Sequence, residues 1–234
     1  MDMTFLNVLL PMMFEGLKLT ILIAVVGITI GFLIGSLCGY LLQSKYKIGK
    51  AIAEVYIWII RATPLMVQAL YGYFVIPKLL GVDIGSTAVG IGVIALNSGA
   101  FISEIVKGAL MSIDPGQKEA GASLGLTSAQ TMIHLVIPPA FKAALPALFN
   151  QFIISVKDTA LLSAIAVNEI THQAQAYAAL SFKAIPTYTA LAVFYLIILS
   201  ILIIVQKQIE RKRQLQSAKG VRSQSPEKKS GFRL

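Results

Sequence analysis

The sequence predicts an all-α membrane protein, a bundle of about five transmembrane helices, and three observations lead there. Hydrophobic residues make up 56% of the 234 residues and charged residues only 13%, where a soluble domain carries about a quarter. Mean hydropathy is +0.75. The polar residues are confined to short stretches and the C-terminal tail, and the apolar runs between them lack the polar face that a helix at a water boundary needs.

Five stretches are long enough to cross a bilayer, which takes roughly 20 apolar residues each: 19–42, 53–76, 86–108, 145–167 and 188–206. In the first, Gly27, Gly31, Gly35 and Gly39 recur at four-residue spacing. They share one helix stripe, where a second helix can approach the backbone closely, so these glycines are candidates for helix packing. The fourth stretch contains Lys157 and Asp158.

Charge sets the direction. Lys45, Lys47 and Lys50 separate the first two stretches, and Lys107, Lys118 and Lys142 lie at or between the third and fourth. The other side holds Lys78 and Lys183. Cytoplasmic loops carry the excess of Lys and Arg, so the N-terminus is expected outside and the C-terminus in the cytoplasm. Two acids (Asp2, Glu15) and no base in the first seventeen residues predict that no cleavable signal peptide is present.

The net charge of +9 comes mostly from the tail, where nine Lys/Arg and two Asp/Glu follow position 206. Beside a final apolar stretch, such a tail suits anionic lipid rather than nucleic acid. Residues 214–234, rich in Ser, Lys, Gln and Gly, are expected to be disordered, leaving 1–213 as the membrane domain. Cys38, the single cysteine, has no partner for a disulfide, and His134 and His172 are too far apart to suggest a metal site. No catalytic constellation and no G-x-x-x-x-G-K-[ST] motif is present.

Ionisable side chains within a bilayer are costly and usually face a cavity, partner or pathway. Glu54, Arg61, Glu104 and the Lys157–Asp158 pair fit that description. Asn97, Phe101, Glu104 and Gly108 fall on one helix face. Two readings of Glu104 stand: it lines a polar cavity, or it pairs with Lys107 one turn on. Lys157 and Asp158 either contact a substrate or neutralise one another.

The loop at about 109–142 is the most informative segment. Asp114-Pro115 reads as a helix start and Gly125 as a stop, with Thr127 or Ser128 capping a second helix that ends before Pro138. Within it, Glu119-Ala120-Gly121, Gly125, Leu135, Ile137 and Pro138 resemble the EAA signature of permease subunits of ATP-binding cassette importers. That pattern is E-A-A, three residues, G, nine residues, I-x-L-P. Gly121 replaces the second Ala, and Leu135 and Ile137 are apolar exchanges. Arg61-Ala-Thr-Pro64-Leu-Met-Val-Gln68, Asn97-Ser-Gly-Ala-Phe-Ile-Ser-Glu104, Ser112-Ile-Asp-Pro-Gly-Gln117 and Lys157-Asp158-Thr-Ala-Leu161 look like the polar amino acid branch.

The resemblance implies a type I importer permease in the bacterial inner membrane. Glu119, Ala120, Gly121, Gly125 and Pro138 would form the coupling loop that enters a groove on a separate ATPase dimer. ATP and Mg would be bound there, with no cofactor and no catalysis on this chain. A second permease subunit, identical or paralogous, would enclose the path, and a solute-binding protein would deliver a polar amino acid. Asn97, Phe101, Glu104, Lys157, Asp158 and Arg61 are the candidates for the substrate path. The branch usually shows Glu where Trp58 stands and Gly where Ala62 stands; in relatives that carry a substrate in the membrane that carboxylate lies near the cavity, and its absence puts the binding of a cationic amino acid in doubt.

Overall fold

The computed structural model describes residues 5–224, with side chains as far as 211. Every regular element among them is helical. In chain order they are α1 (Leu6–Leu41), α2 (Lys47–Ala62), α3 (Leu65–Leu70), α4 (Ile76–Leu80), α5 (Ser86–Met111), α6 (Gly116–Ser123), α7 (Ser128–Thr131), α8 (Ile137–Asp158), α9 (Ile170–Ser181) and α10 (Ala184–Gln224).

Among the described residues four helices are long and apolar enough to cross a membrane: Leu6–Leu41, Ser86–Met111, Ser128–Ile165 and Ala184–Arg211. The second expected span departs from expectation. Instead of one helix over 53–76 there are two, Lys47–Ala62 and Leu65–Leu80, bent by 104°. The cause is Pro64, which has no N–H to give and forces the residue before it out of the helical region; Thr63 is extended at φ −113°, ψ 138°. The bent pair nevertheless crosses once. Gly27 packs on Ile94, Gly31 on Ala95 and Ser98, Gly35 on Gly99 and Ile102, and Gly39 on Ser103 and Val106. Both numberings rise together, so α1 and α5 run parallel, and the chain between them must cross the layer an odd number of times. Five crossings result.

A second correction concerns the loop helix expected to end before Pro138. A π-turn, Met132–Val136, carries it straight into α8, so Ser128–Ile165 is continuous. A proline inside a helix clashes with the carbonyl four residues back, and the wider π-turn makes room for Pro138 and Pro139. The same device, Tyr71–Val75, precedes Pro77. Both follow the pattern Val-Ile-Pro.

Two boundaries also move. Helix α1 starts at Leu6 rather than near 19, because Glu15 and Lys18 pair at 2.6 Å on its surface while Leu9 and Met13 pack with Ile170, Ala174 and Phe194. Helix α10 runs across position 213 to Gln224, and residues 225–234 of the tail lie outside the described residues.

The bundle is centred on α5, the helix most enclosed by its neighbours. At Gly35 a Cβ would stand 2.7 Å from the Gly99 carbonyl and from Ile102, which leaves no room for a methyl group. Gly35→Ala is therefore expected to cost about 1–3 kcal/mol, whereas Gly92, with nothing within 4 Å of its Cβ position, should accept alanine without loss. Thermal unfolding of the two variants in detergent checks the contrast.

Candidate functional site

On α2, Lys47, Lys50, Glu54, Trp58 and Arg61 follow one another at three- and four-residue spacing, so they form one stripe. Lys50 pairs with Glu54 at 3.8 Å. Across from the stripe, α5 presents Glu104, whose two oxygens are shared: Arg61 lies 3.9 Å from Oε1 and Lys107 lies 3.7 Å from Oε2. The Arg61 guanidinium also sits 5.5 Å from the centre of the Phe101 ring. Arg61, Glu104 and Lys107 remain about half-exposed. Together with Glu54 and Trp58 they border an open cleft of about 420 Å³.

This arrangement joins the two readings of Glu104, since the carboxylate meets Lys107 and also faces a cleft. Exposed pairs of this length contribute only ~0.2–1 kcal/mol, so they are free to exchange partners. Asn97, two turns further along α5, is buried at 8% exposure. Lys157 and Asp158 close α8, the first exposed and the second half-buried. No ion pair within 4 Å joins them to each other or to Glu104 among the described residues.

Two polar groups hold the frame of the cleft. The break at Pro64 frees the Ile60 carbonyl, and the Gln68 amide takes over. Its Nε2 donates to Ile60 O (2.8 Å), Thr63 O (3.0 Å) and Thr63 Oγ1 (2.9 Å). Tyr56 donates to the Leu96 carbonyl at 2.6 Å and fixes α2 on α5. Within a bilayer no water can satisfy such groups, so the bent span depends on these substitutes.

One buried acid escaped the sequence reading. Glu169 is fully buried and caps α9, accepting from the backbone N–H of Thr171 (2.8 Å) and His172 (2.7 Å). Tyr195 of α10 donates to it at 3.2 Å, and Gly16 of α1 lies directly against its backbone. Glu169 therefore ties three helices, α9, α10 and α1, together. An acid two residues past an apolar run and just before a helix was the available signal.

Away from this junction, α6 and α7 stand off the bundle. Asp114 Oδ1 accepts from Gly116 N–H at 2.8 Å and starts α6; Gly125 turns the chain at φ +73°, a left-handed conformation that suits glycine. Thr127 and Gln130 form a reciprocal capping box on α7. Only Gly121 of α6 is buried. A Cβ there would meet Thr131 at 2.5 Å from Oγ1 and 2.7 Å from Cγ2, so Thr131 occupies the space of the missing methyl. Glu119, Ala120 and Leu124 all face outward, Leu124 at 75% exposure. Pro138 is also exposed, on the first turn of α8.

The family model for the inner membrane component of binding-protein-dependent transport systems matches residues 27–214. The chain belongs to that family. Among its relatives, the glutamine transport system permease protein GlnP of Escherichia coli K12 is 39% identical over 207 residues, covering 88% of this chain and 94% of the relative. The arginine transport system permease protein ArtQ of Bacillus subtilis is 32% identical over 203 residues, covering 87% and 93%. Of solved structures, the crystal structure of an amino acid ABC transporter with histidines superposes with a TM-score of 0.83 at 32% identity, covering 91% of this chain and 99% of that one. An inward-facing MetNI methionine ABC transporter matches at 0.71 and 21% identity, over the same shares, and shares the fold. The chain is thus a type I importer permease by fold and a membrane-embedded transport subunit by family. Among its described residues no cluster of His, Cys, Asp or Glu is placed to hold a metal.

Replacing Gln68 by Leu would strand the carbonyls at the bend. The part-buried Ile60 carbonyl would lose its donor at a cost of about 1–3 kcal/mol, offset in part by removal of the unpartnered Gln68 Oε1, so Gln68→Leu should lower the unfolding temperature in detergent. An unchanged temperature would show that the bend does not need its amide.

Proposed function

We propose that this chain forms the translocation path of an ATP-driven importer for a polar amino acid. It works with a second permease subunit, a separate ATPase dimer that binds ATP and Mg, and an extracytoplasmic solute-binding protein. The chain itself catalyses no reaction and binds no cofactor. Its N-terminus faces outward and its C-terminus the cytoplasm, in keeping with the distribution of lysines.

The observation that carries this reading is the α6 knob. A helix of eight residues that buries one glycine and turns Glu119, Ala120 and Leu124 outward has too little contact with its own bundle to stay there for packing alone. It is shaped to enter a groove on another protein, and Gly125 and Pro138 set its angle to the spans. Coupling through this loop, at about 109–142, lets the ATPase switch the bundle between two accessible states.

The cleft supports the choice of cargo. Glu54 and Glu104 balance Arg61 and Lys107, which suits a zwitterion: a carboxylate to accept an ammonium group, a guanidinium to bind a carboxylate. Asn97, Phe101, Lys157 and Asp158 extend the path on α5 and α8. The name of one relative, a glutamine transport permease, points to the same class of cargo. The polar stripe of α2 cannot face lipid cheaply, so a second permease subunit closes over it.

Glu119→Lys should leave the chain folded in the membrane and abolish ATP-coupled uptake of the amino acid; normal uptake would refute the coupling role. Gly121→Ala should reduce uptake by pushing on Thr131, and Thr131→Ala in the same chain should restore it. Transport assays in proteoliposomes containing the ATPase read both.

A further inference from the structure

The turn between α9 and α10 carries three of the most exposed large apolar residues among those described: Leu180 at 82%, Phe182 at 92% and Ile185 at 83%. Lys183, also exposed, lies among them. Phe182 closes α9 in the left-handed conformation at φ +56°, ψ 19°, its N–H bonded to the Ala178 carbonyl at 3.0 Å. That helix-ending position favours glycine, and a bulky residue holds it only against steric strain. A phenylalanine placed there and pointed outward is a candidate for function rather than packing.

The level of this turn follows from the helices around it. Thr171 of α9 meets Tyr195 of α10 at 3.0 Å, so the two helices run back along one another and the turn lies at their common outer tip. From Ile185 the apolar run of α10 reaches Val205, before Gln206 and Lys207. About 20 helical residues span the ~30 Å hydrocarbon layer. With Lys207 at one surface, Ile185 stands at the other, and Leu180, Phe182 and Lys183 are level with the headgroups.

We propose that this turn is a membrane-interface anchor. The Phe182 ring, with Leu180 and Ile185, sits at the boundary between headgroups and acyl chains. Lys183 reaches outward to a phospholipid phosphate, as lysine does at such a boundary, and aromatic side chains favour this depth. The anchor fixes the height of the α9–α10 hairpin, and with it the Glu169 junction, relative to the bilayer. This inference does not depend on the nature of the cargo or on coupling to an ATPase.

The test is a nitroxide at position 182, made as Phe182→Cys in a Cys38→Ser chain and reconstituted in phospholipid nanodiscs. Its collision rates with lipid-soluble oxygen and with a water-soluble nickel chelate are compared with those of a mid-span site, Leu196→Cys, and an aqueous one, Glu119→Cys. The anchor predicts more collision with oxygen than with nickel, at a depth shallower than position 196. Collision dominated by nickel would place the turn in water and overturn the proposal. Protection from both reagents would also overturn it, since the turn would then be covered by protein, a solute-binding protein or a second subunit. Ile185→Cys, at an ordinary helical position, reports the same depth if the label at 182 disturbs folding.

Discussion

The close approach of α1 to α5 is the constraint on which the remaining structure depends. Gly27, Gly31, Gly35 and Gly39 let the α1 backbone rest on α5 from Ile94 to Val106. In a bilayer no hydrophobic force drives one apolar helix onto another, so association rests on close packing and hydrogen bonding. A smooth groove of glycines supplies the packing. With one face of α5 consumed by this seam, α2 packs beside it against both helices, Tyr56 on Gly99 and Ala53 and Ile57 against Leu42, and Phe101 and Glu104 meet Arg61 there. The parallel course of α1 and α5 in turn obliges the segment between them to cross once, despite its bend.

The bend shows how irregular backbone is tolerated at membrane depth. Pro64 breaks the span, and the polar groups it frees are satisfied by Gln68 and Thr63. The two π-turns before Pro77 and Pro138 perform a milder version of the same task, absorbing a proline without ending the helix. One of them lies between the α6–α7 knob and α8. The helix is continuous through it, over 38 residues from Ser128 to Ile165.

Much of this was legible in the sequence, for physical reasons that can be named. Apolar length identified the spans, glycine periodicity identified the packing stripe, and Asp114, Gly125 and Thr127 marked the ends of the loop helices by their local chemistry. What escaped was tertiary. Pro138 reads as a stop in one dimension, and only the π-turn shows how a helix runs through it. Pro64 lay inside an apolar run, and its large bend becomes visible once Thr63 turns extended. Glu169 went unremarked because its burial depends on Tyr195 and α1, distant in sequence. Glu104 admitted two readings because its partners, Arg61 and Lys107, come from different helices.

In the proposed importer the polar stripe of α2 lines the path, and the side from which that path is open should alternate. Trp58, exposed at 71% in the cleft, reports it most directly. In a Cys38→Ser chain carrying Trp58→Cys, assembled with its ATPase, reactivity toward a membrane-impermeant thiol reagent would be measured from each side of sealed vesicles. Labelling is expected from one side without nucleotide and from the other when the ATPase is trapped with ATP. Labelling from neither side in both states, or from the same side in both, would contradict that alternation.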